Sequence, residues 1–168
     1  MNNKDAPYIW DEYGRALGSY WCRHDYNNHD YVHELFNNNI DLFQLAYEYE
    51  NKTLGRVLFT HAGVTQGFKD LCGLTAESIN NFFLKESTNN ISNIVGLASV
   101  SWYRGGDQTY GSPIWADIRE HKLHPVEEVF QVFGHTYSWK ETITKNFAML
   151  DTGGNCFLLD NEGHFNKL

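Results

Sequence analysis

The segment from Val57 to Val64, VLFTHAGV, most constrains how this chain can fold. Three apolar or aromatic residues run into Thr60, and His61 follows, directly before an Ala-Gly pair. This pattern predicts a short buried strand that ends in a tight turn, so that His61 lies at the carboxyl end of a sheet strand. In open α/β sheets, that edge is where ligands bind.

A second segment, VFQVFGHT from Val129 to Thr136, has the same form: an apolar run ends in Gly134 and His135. The glycine before the histidine allows close approach to a bulky group. A single histidine at a strand end is commonly a structural, hydrogen-bonded residue. Two strands that both end in histidine can direct both imidazoles at one point, as in metal sites built from distant parts of a chain. We therefore take His61 and His135 as candidate ligands of a divalent metal ion.

Composition limits the kind of protein and the kind of partner. The 168 residues suffice for one domain, covering 1–168, with 42% hydrophobic and 20% charged residues. The net charge of −8 argues against binding a nucleic-acid duplex, but metal ions could still hold a phosphorylated substrate. Three widely spaced cysteines and the lack of a membrane-length apolar run predict a cytoplasmic protein without membrane contact.

Hydrophobic periodicity predicts one α/β domain with a mixed β-sheet and flanking helices. The long polar and aromatic segment 99–117 is expected to be a loop that serves a site. Helices are predicted to begin near Asp30, Asp41 and Thr75, and the Asp41 helix is expected to have an apolar face from Leu42 to Tyr49. A hairpin is predicted from strands 147–150 and 156–159, which flank a glycine turn.

Four short motifs occur in an order that resembles the calcineurin-like metallophosphoesterases, which include Ser/Thr protein phosphatases and diadenosine tetraphosphatases. They are HAG at 61–63, GSPIWAD at 111–117, VFGHT at 132–136 and LDTGG at 150–154. The resemblance covers the chain from about Val57 and implies the carboxyl-terminal half of a four-layer αββα sandwich. It also implies divalent metal ions (Mn, Fe, Zn or Mg), with His61 and His135 as ligands of the second ion. The apolar sheet face meant for the absent half would then be exposed or covered by self-association.

The sequence departs from the family at the motifs that precede His61. The Asp-x-His and Gly-Asp-x-x-Asp motifs have no counterpart. For the Gly-Asn-His-Asp motif, Asn28-His29-Asp30 keeps the letters but lies close to His61, so we favour Asn3-Lys4-Asp5. In that register Asn3 is a candidate metal ligand and Lys4 replaces the family's proton donor.

Three hypotheses follow from these motifs. The first is a phosphoester hydrolase, whose missing ligands would come from self-association or from a separate amino-terminal fragment. The second is a catalytically inactive, phosphatase-derived binding or oligomerisation domain. The third is a mononuclear metal-binding protein in which His61 and His135 hold one ion with water and a loop carboxylate.

Other polar residues have weaker functional interpretations. Arg104 could contact a phosphate through its planar guanidinium, or could stack on Trp102 or Tyr103 at the surface. Asp117 is expected to accept hydrogen bonds from loop backbone. The remaining histidines in polar segments are expected at the surface: His24, His33, His121, His124 and His164.

Overall fold

The computed structural model describes residues 9–10, 16–17, 31, 34–35, 38–88 and 94–168. The chain divides into two compact units, Met1–Phe43 and Gln44–Leu168. In the first unit, strands β1 (Ile9–Trp10) and β2 (Ala16–Leu17) pair antiparallel, and a 3-10 helix spans Ile40–Leu42. All the functional candidates that the structure describes belong to the second unit.

A five-stranded mixed sheet forms the centre of the second unit, in the order β3-β4-β5-β7-β6. The β4-β5 and β5-β7 pairs are parallel, whereas β3-β4 and β6-β7 are antiparallel. A mixed α/β architecture is therefore confirmed. The strands are β3 (Ala46–Asn51), β4 (Gly55–Thr60), β5 (Phe130–Phe133), β6 (Thr142–Ile143) and β7 (Phe147–Met149), with β8 (Phe157–Leu159) and β9 (Phe165–Lys167) as a separate antiparallel pair.

The helices of this unit lie in the connections between strands. The predicted start near Thr75 is confirmed, since Thr75 and Ser78 exchange side-chain to backbone hydrogen bonds at the beginning of a helix. Among the described residues, no helix combines the length and apolar character needed to cross a membrane. The helices are α1 (Gln66–Cys72), α2 (Ala76–Thr88), α3 (Ile94–Leu97) and α4 (Ile118–Leu123).

The predicted helix from Asp41 is wrong, because a 3-10 helix ends at Leu42, and Ala46 and Tyr49 of the predicted apolar face belong to strand β3. Ala46 is buried and Tyr47 is exposed, an alternation that suits a strand with one covered face. The Asn80 side chain accepts from the backbone N–H of Ala46 at 3.0 Å and donates to its carbonyl at 2.8 Å. Pairing with β4 and this amide clamp therefore override the local helical spacing.

The predicted hairpin of residues 147–150 and 156–159 is also wrong. Strand β7 lies between β5 and β6, and all three of its residues are buried, as an interior strand requires. Gly153 and Gly154 have φ angles of 77° and 88°, and after them the chain continues into β8, which pairs with β9 instead. The glycine turn was correctly located, but the two strands it separates do not pair.

Both faces of the sheet are covered at its centre. On one face Leu58 packs with Phe68 of α1 and Ile79 of α2. On the other, a cluster that includes Val57 and Phe130 is covered by residues of β8 and β9. The expected exposure of the second apolar face is therefore wrong for its centre. The predicted exposure is found only at the edges of that sheet face, where Tyr47 and Ile143 are exposed.

Candidate functional site

His61 and His135 follow the ends of two neighbouring parallel strands, as the sequence predicted. Strand β4 ends at Thr60 and β5 at Phe133, and Phe59 is in register with Val132. The backbone N–H of Gly134 donates to the His61 carbonyl at 2.9 Å, which continues the strand pairing to the histidines themselves. The parallel register therefore brings residues 74 positions apart to one point of the sheet edge.

The two imidazoles share one hydrogen bond. His61 Nε2 and His135 Nδ1 are 2.8 Å apart, and the ring planes meet at 61°. One of these nitrogens must accept, so at least one ring is neutral. The other nitrogen of His135, Nε2, is buried and has no hydrogen-bond partner among the described residues. Leaving a buried polar atom unpaired is costly, and in native proteins such an atom commonly marks a functional group.

His135 also has an unusual backbone, with a φ of 65°. The left-handed region costs a non-glycine residue about 1–2 kcal/mol, and strain of this kind clusters at functional sites. The close approach to a bulky group that Gly134 was predicted to allow is not used by any described residue. A methyl group there would meet the Asp151 Cβ at 3.4 Å, an ordinary contact. The unusual backbone conformation is at His135 itself.

The environment of His135 keeps its imidazole neutral. Burial lowers the pKa of His135 from 6.5 to about 4, and the positive charge of Arg104 and the neighbouring His61 act in the same direction. The carboxylates of Asp151 and Asp117 oppose this shift. A neutral imidazole is the form that binds a metal ion.

Arg104 stacks on no aromatic ring of the described residues. Its Nη2 donates to Thr136 Oγ1 at 2.6 Å and lies 3.5 Å from the His135 carbonyl, while its Nε is 3.7 Å from Asp117 Oδ2. The guanidinium that lies over Tyr103 belongs to Arg119, at 5.1 Å from the ring centroid. Arg104 therefore braces the segment that holds His135, and 24% of its side chain is exposed.

Asp117 accepts hydrogen bonds from backbone, as predicted, and caps a helix that the sequence analysis missed. Its carboxylate accepts from the Arg119 N–H at 3.0 Å, while the Glu120 carboxylate accepts from the Asp117 N–H at 2.8 Å. Burial raises the pKa of Asp117, but hydrogen bonds from Arg119 outweigh it and leave the pKa below its usual value. The signal for α4 was the Asp-x-x-Glu spacing directly before the helix.

The predicted surface position of His121 is wrong, since only 1% of this residue is exposed. Its Nε2 lies 3.0 Å from the Ala62 carbonyl, and its ring packs on Phe133 with centroids 4.4 Å apart. Burial lowers the pKa of His121, so the neutral ring donates to that carbonyl. Gly63, with a φ of 86°, leaves the space that the imidazole fills. His121 thus fixes the turn that follows His61.

The described residues provide two nitrogen ligands and no complete metal shell. No group of three or more His, Cys, Asp or Glu side chains that could hold an ion occurs among them. Two imidazole nitrogens on one tetrahedral ion, each about 2.0–2.1 Å from it, would be roughly 3.3 Å apart. The histidine pair would therefore need to open by only about half an ångström to share an ion. The remaining candidates, Asn3 and the alternative Asn28-His29-Asp30, lie outside the described residues.

Comparisons of this chain with protein-family models, with curated proteins and with solved structures found no match.

Proposed function

We propose that this protein is a metal-dependent phosphoester hydrolase in which His61 and His135 hold one divalent ion. One observation carries the proposal: His61 Nε2 and His135 Nδ1 meet at 2.8 Å at the ends of adjacent parallel strands, and burial keeps the His135 imidazole neutral. The resemblance of the HAG and VFGHT motifs to metallophosphoesterases supports a phosphate ester as the substrate.

Each residue of the site then has a defined part. The ion, when bound, supplies Lewis-acid polarisation of a phosphoryl oxygen. His61 and His135 would supply imidazole nitrogen ligands, and His121 holds the turn that orients His61. Arg104 fixes Thr136 and the His135 carbonyl, and its exposed part provides a positive charge for the phosphate.

A second candidate is a phosphatase-derived domain that binds or oligomerises without catalysis. The observation that favours it is that the described residues hold no group of three or more metal-ligating side chains. Hydrolases of this kind need a fixed, open coordination site, and two histidines alone hold an ion weakly. The two candidates differ in turnover but both allow metal binding.

Manganese binding, measured together with hydrolysis of p-nitrophenyl phosphate, tests the proposal. The variants are His61→Ala and His135→Ala, with His164→Ala as a control that removes an exposed imidazole from the β8-β9 turn. A hydrolase loses binding and turnover in the first two variants and keeps both in the control. Binding without turnover in the wild-type protein identifies the non-catalytic domain. Equal binding by all four proteins rejects the metal site.

A further inference from the structure

A cavity of about 300 Å³ lies beside the long loop, and neither His61 nor His135 lines it. Its walls come from the start of α1, from the loop and from α4. Cavities of this size that combine aromatic walls with a few polar groups are the usual form of small-ligand sites. The lining residues are Thr65, Gln66, Gly67, Trp102, Tyr103, Thr109, Tyr110, Glu120 and His124.

The Trp102 backbone is held in place although 62% of the residue is exposed. It begins a 3-10 helix, Trp102–Arg104, whose preceding residue Ser101 is fully buried. The Ser101 hydroxyl donates to Glu120 Oε2 at 2.9 Å, and its carbonyl accepts from the Arg104 and Gly106 N–H groups. A large apolar ring on a fixed backbone loses little entropy when a ligand covers it.

Tyr110 forms a second wall that is fixed by a close approach to the backbone. The ring lies against Gly67 of α1 so tightly that a methyl group at Gly67 would collide with it. The Thr65 hydroxyl donates to the Gly111 carbonyl at 2.8 Å, which ties the start of α1 to the residue after Tyr110. The cavity is therefore preformed on two sides.

The polar groups of the cavity favour a ligand without negative charge. The described residues of the lining include no lysine or arginine, and Glu120 contributes a carboxylate. That carboxylate is already occupied, because it accepts from the Gly111 and Asp117 N–H groups and from Ser101. Gln66, Thr109 and His124 have side chains that can bond to the edge of a ligand.

We propose that this cavity binds a flat, uncharged heteroaromatic ring of the nucleobase class, stacked on Trp102 and hydrogen-bonded at its edge. Flat rings gain stacking and burial against an exposed indole, and a nucleobase adds the edge donors and acceptors that the polar lining can meet. The site does not require a metal ion, so it does not depend on the proposed hydrolase function.

Isothermal titration with adenosine, AMP and ribose tests the site in the wild-type protein, Trp102→Leu and Trp139→Leu. Trp139 is 88% exposed and does not line the cavity, so its variant is a matched control. Stacking on an aromatic side chain is worth about fivefold to 150-fold in affinity. We expect adenosine to bind the wild type and Trp139→Leu, with affinity at least about fivefold lower in Trp102→Leu.

Gly67→Ala provides a second variant, because the added methyl group would collide with the Tyr110 ring and displace it. It should also weaken adenosine binding, while circular dichroism confirms that the fold is kept. No saturable binding of adenosine, equal binding by Trp102→Leu, or binding of ribose alone would overturn the proposal. Tighter binding of AMP than of adenosine would overturn the requirement for an uncharged ligand.

Discussion

Lowering the pH should destabilise the protein through His135 before its carboxylates are protonated. The unfolded chain takes up a proton near pH 6.5, whereas the folded imidazole stays neutral until about pH 4. His135 therefore stabilises the fold above pH 6.5, and this contribution is lost as the pH falls from 6.5 towards 4. The full shift corresponds to about 3 kcal/mol at 1.36 kcal/mol per pKa unit. Because solvent reaches part of the ring, we expect about 1 kcal/mol between pH 7.5 and 5.0.

Urea unfolding at pH 7.5 and 5.0 measures this loss, and His135→Asn is the matched variant. Asparagine tolerates the left-handed backbone of this position but does not titrate. His121 is also buried and neutral, and it is present in both the wild type and His135→Asn. Its contribution to the pH dependence of the unfolding free energy is therefore the same in the two proteins. The wild type should lose about 1 kcal/mol more than His135→Asn between the two pH values. Equal losses in the two proteins would refute the assignment of a depressed pKa to His135.

Three further substitutions test the backbone and the brace around the histidines. His135→Gly should be about 1 kcal/mol more stable to urea than His135→Ala, because glycine relieves the φ of 65°; equal stabilities would contradict the strain. Gly63→Ala should destabilise by at least about 1 kcal/mol more than Gly55→Ala. Both positions have positive φ, but only at Gly63 does the added methyl collide with the His121 ring. Arg104→Met should weaken manganese binding about tenfold, and unchanged affinity in titration calorimetry would show that the brace does not orient His135.

The sequence allowed the prediction of those features that depend on local pattern. The apolar runs before His61 and His135 predicted two strands with histidines at their ends, because a buried parallel strand has few alternative forms over so short a run. The two imidazoles meet at 2.8 Å because β4 and β5 also pair in parallel. That pairing was expected from the usual topology of α/β sheets and not from the hydrophobic pattern of either segment.

The features that the sequence analysis missed depend on tertiary contacts. Residues 46–49 carry helical spacing, yet they form β3 because β4 pairs with them and Asn80 clamps Ala46. His121 lies in a polar stretch, IREHKL, but the helix turns it into the core against Phe133. The role of Arg104 was left open between a phosphate contact and stacking on a neighbouring aromatic ring, and neither included Thr136, 32 residues away. The hydrophobic periodicity of a segment does not reveal its contacts with residues that are distant in sequence.

The central claim is that His61 and His135 bind the same ion, and imidazole NMR with added Mn²⁺ tests it most directly. Paramagnetic broadening identifies the rings that lie next to the ion. A shared site predicts that the His61 and His135 signals broaden together up to one equivalent, while that of exposed His164 persists at that point. Broadening that begins at His164, or that leaves His135 sharp at one equivalent, would contradict a shared site.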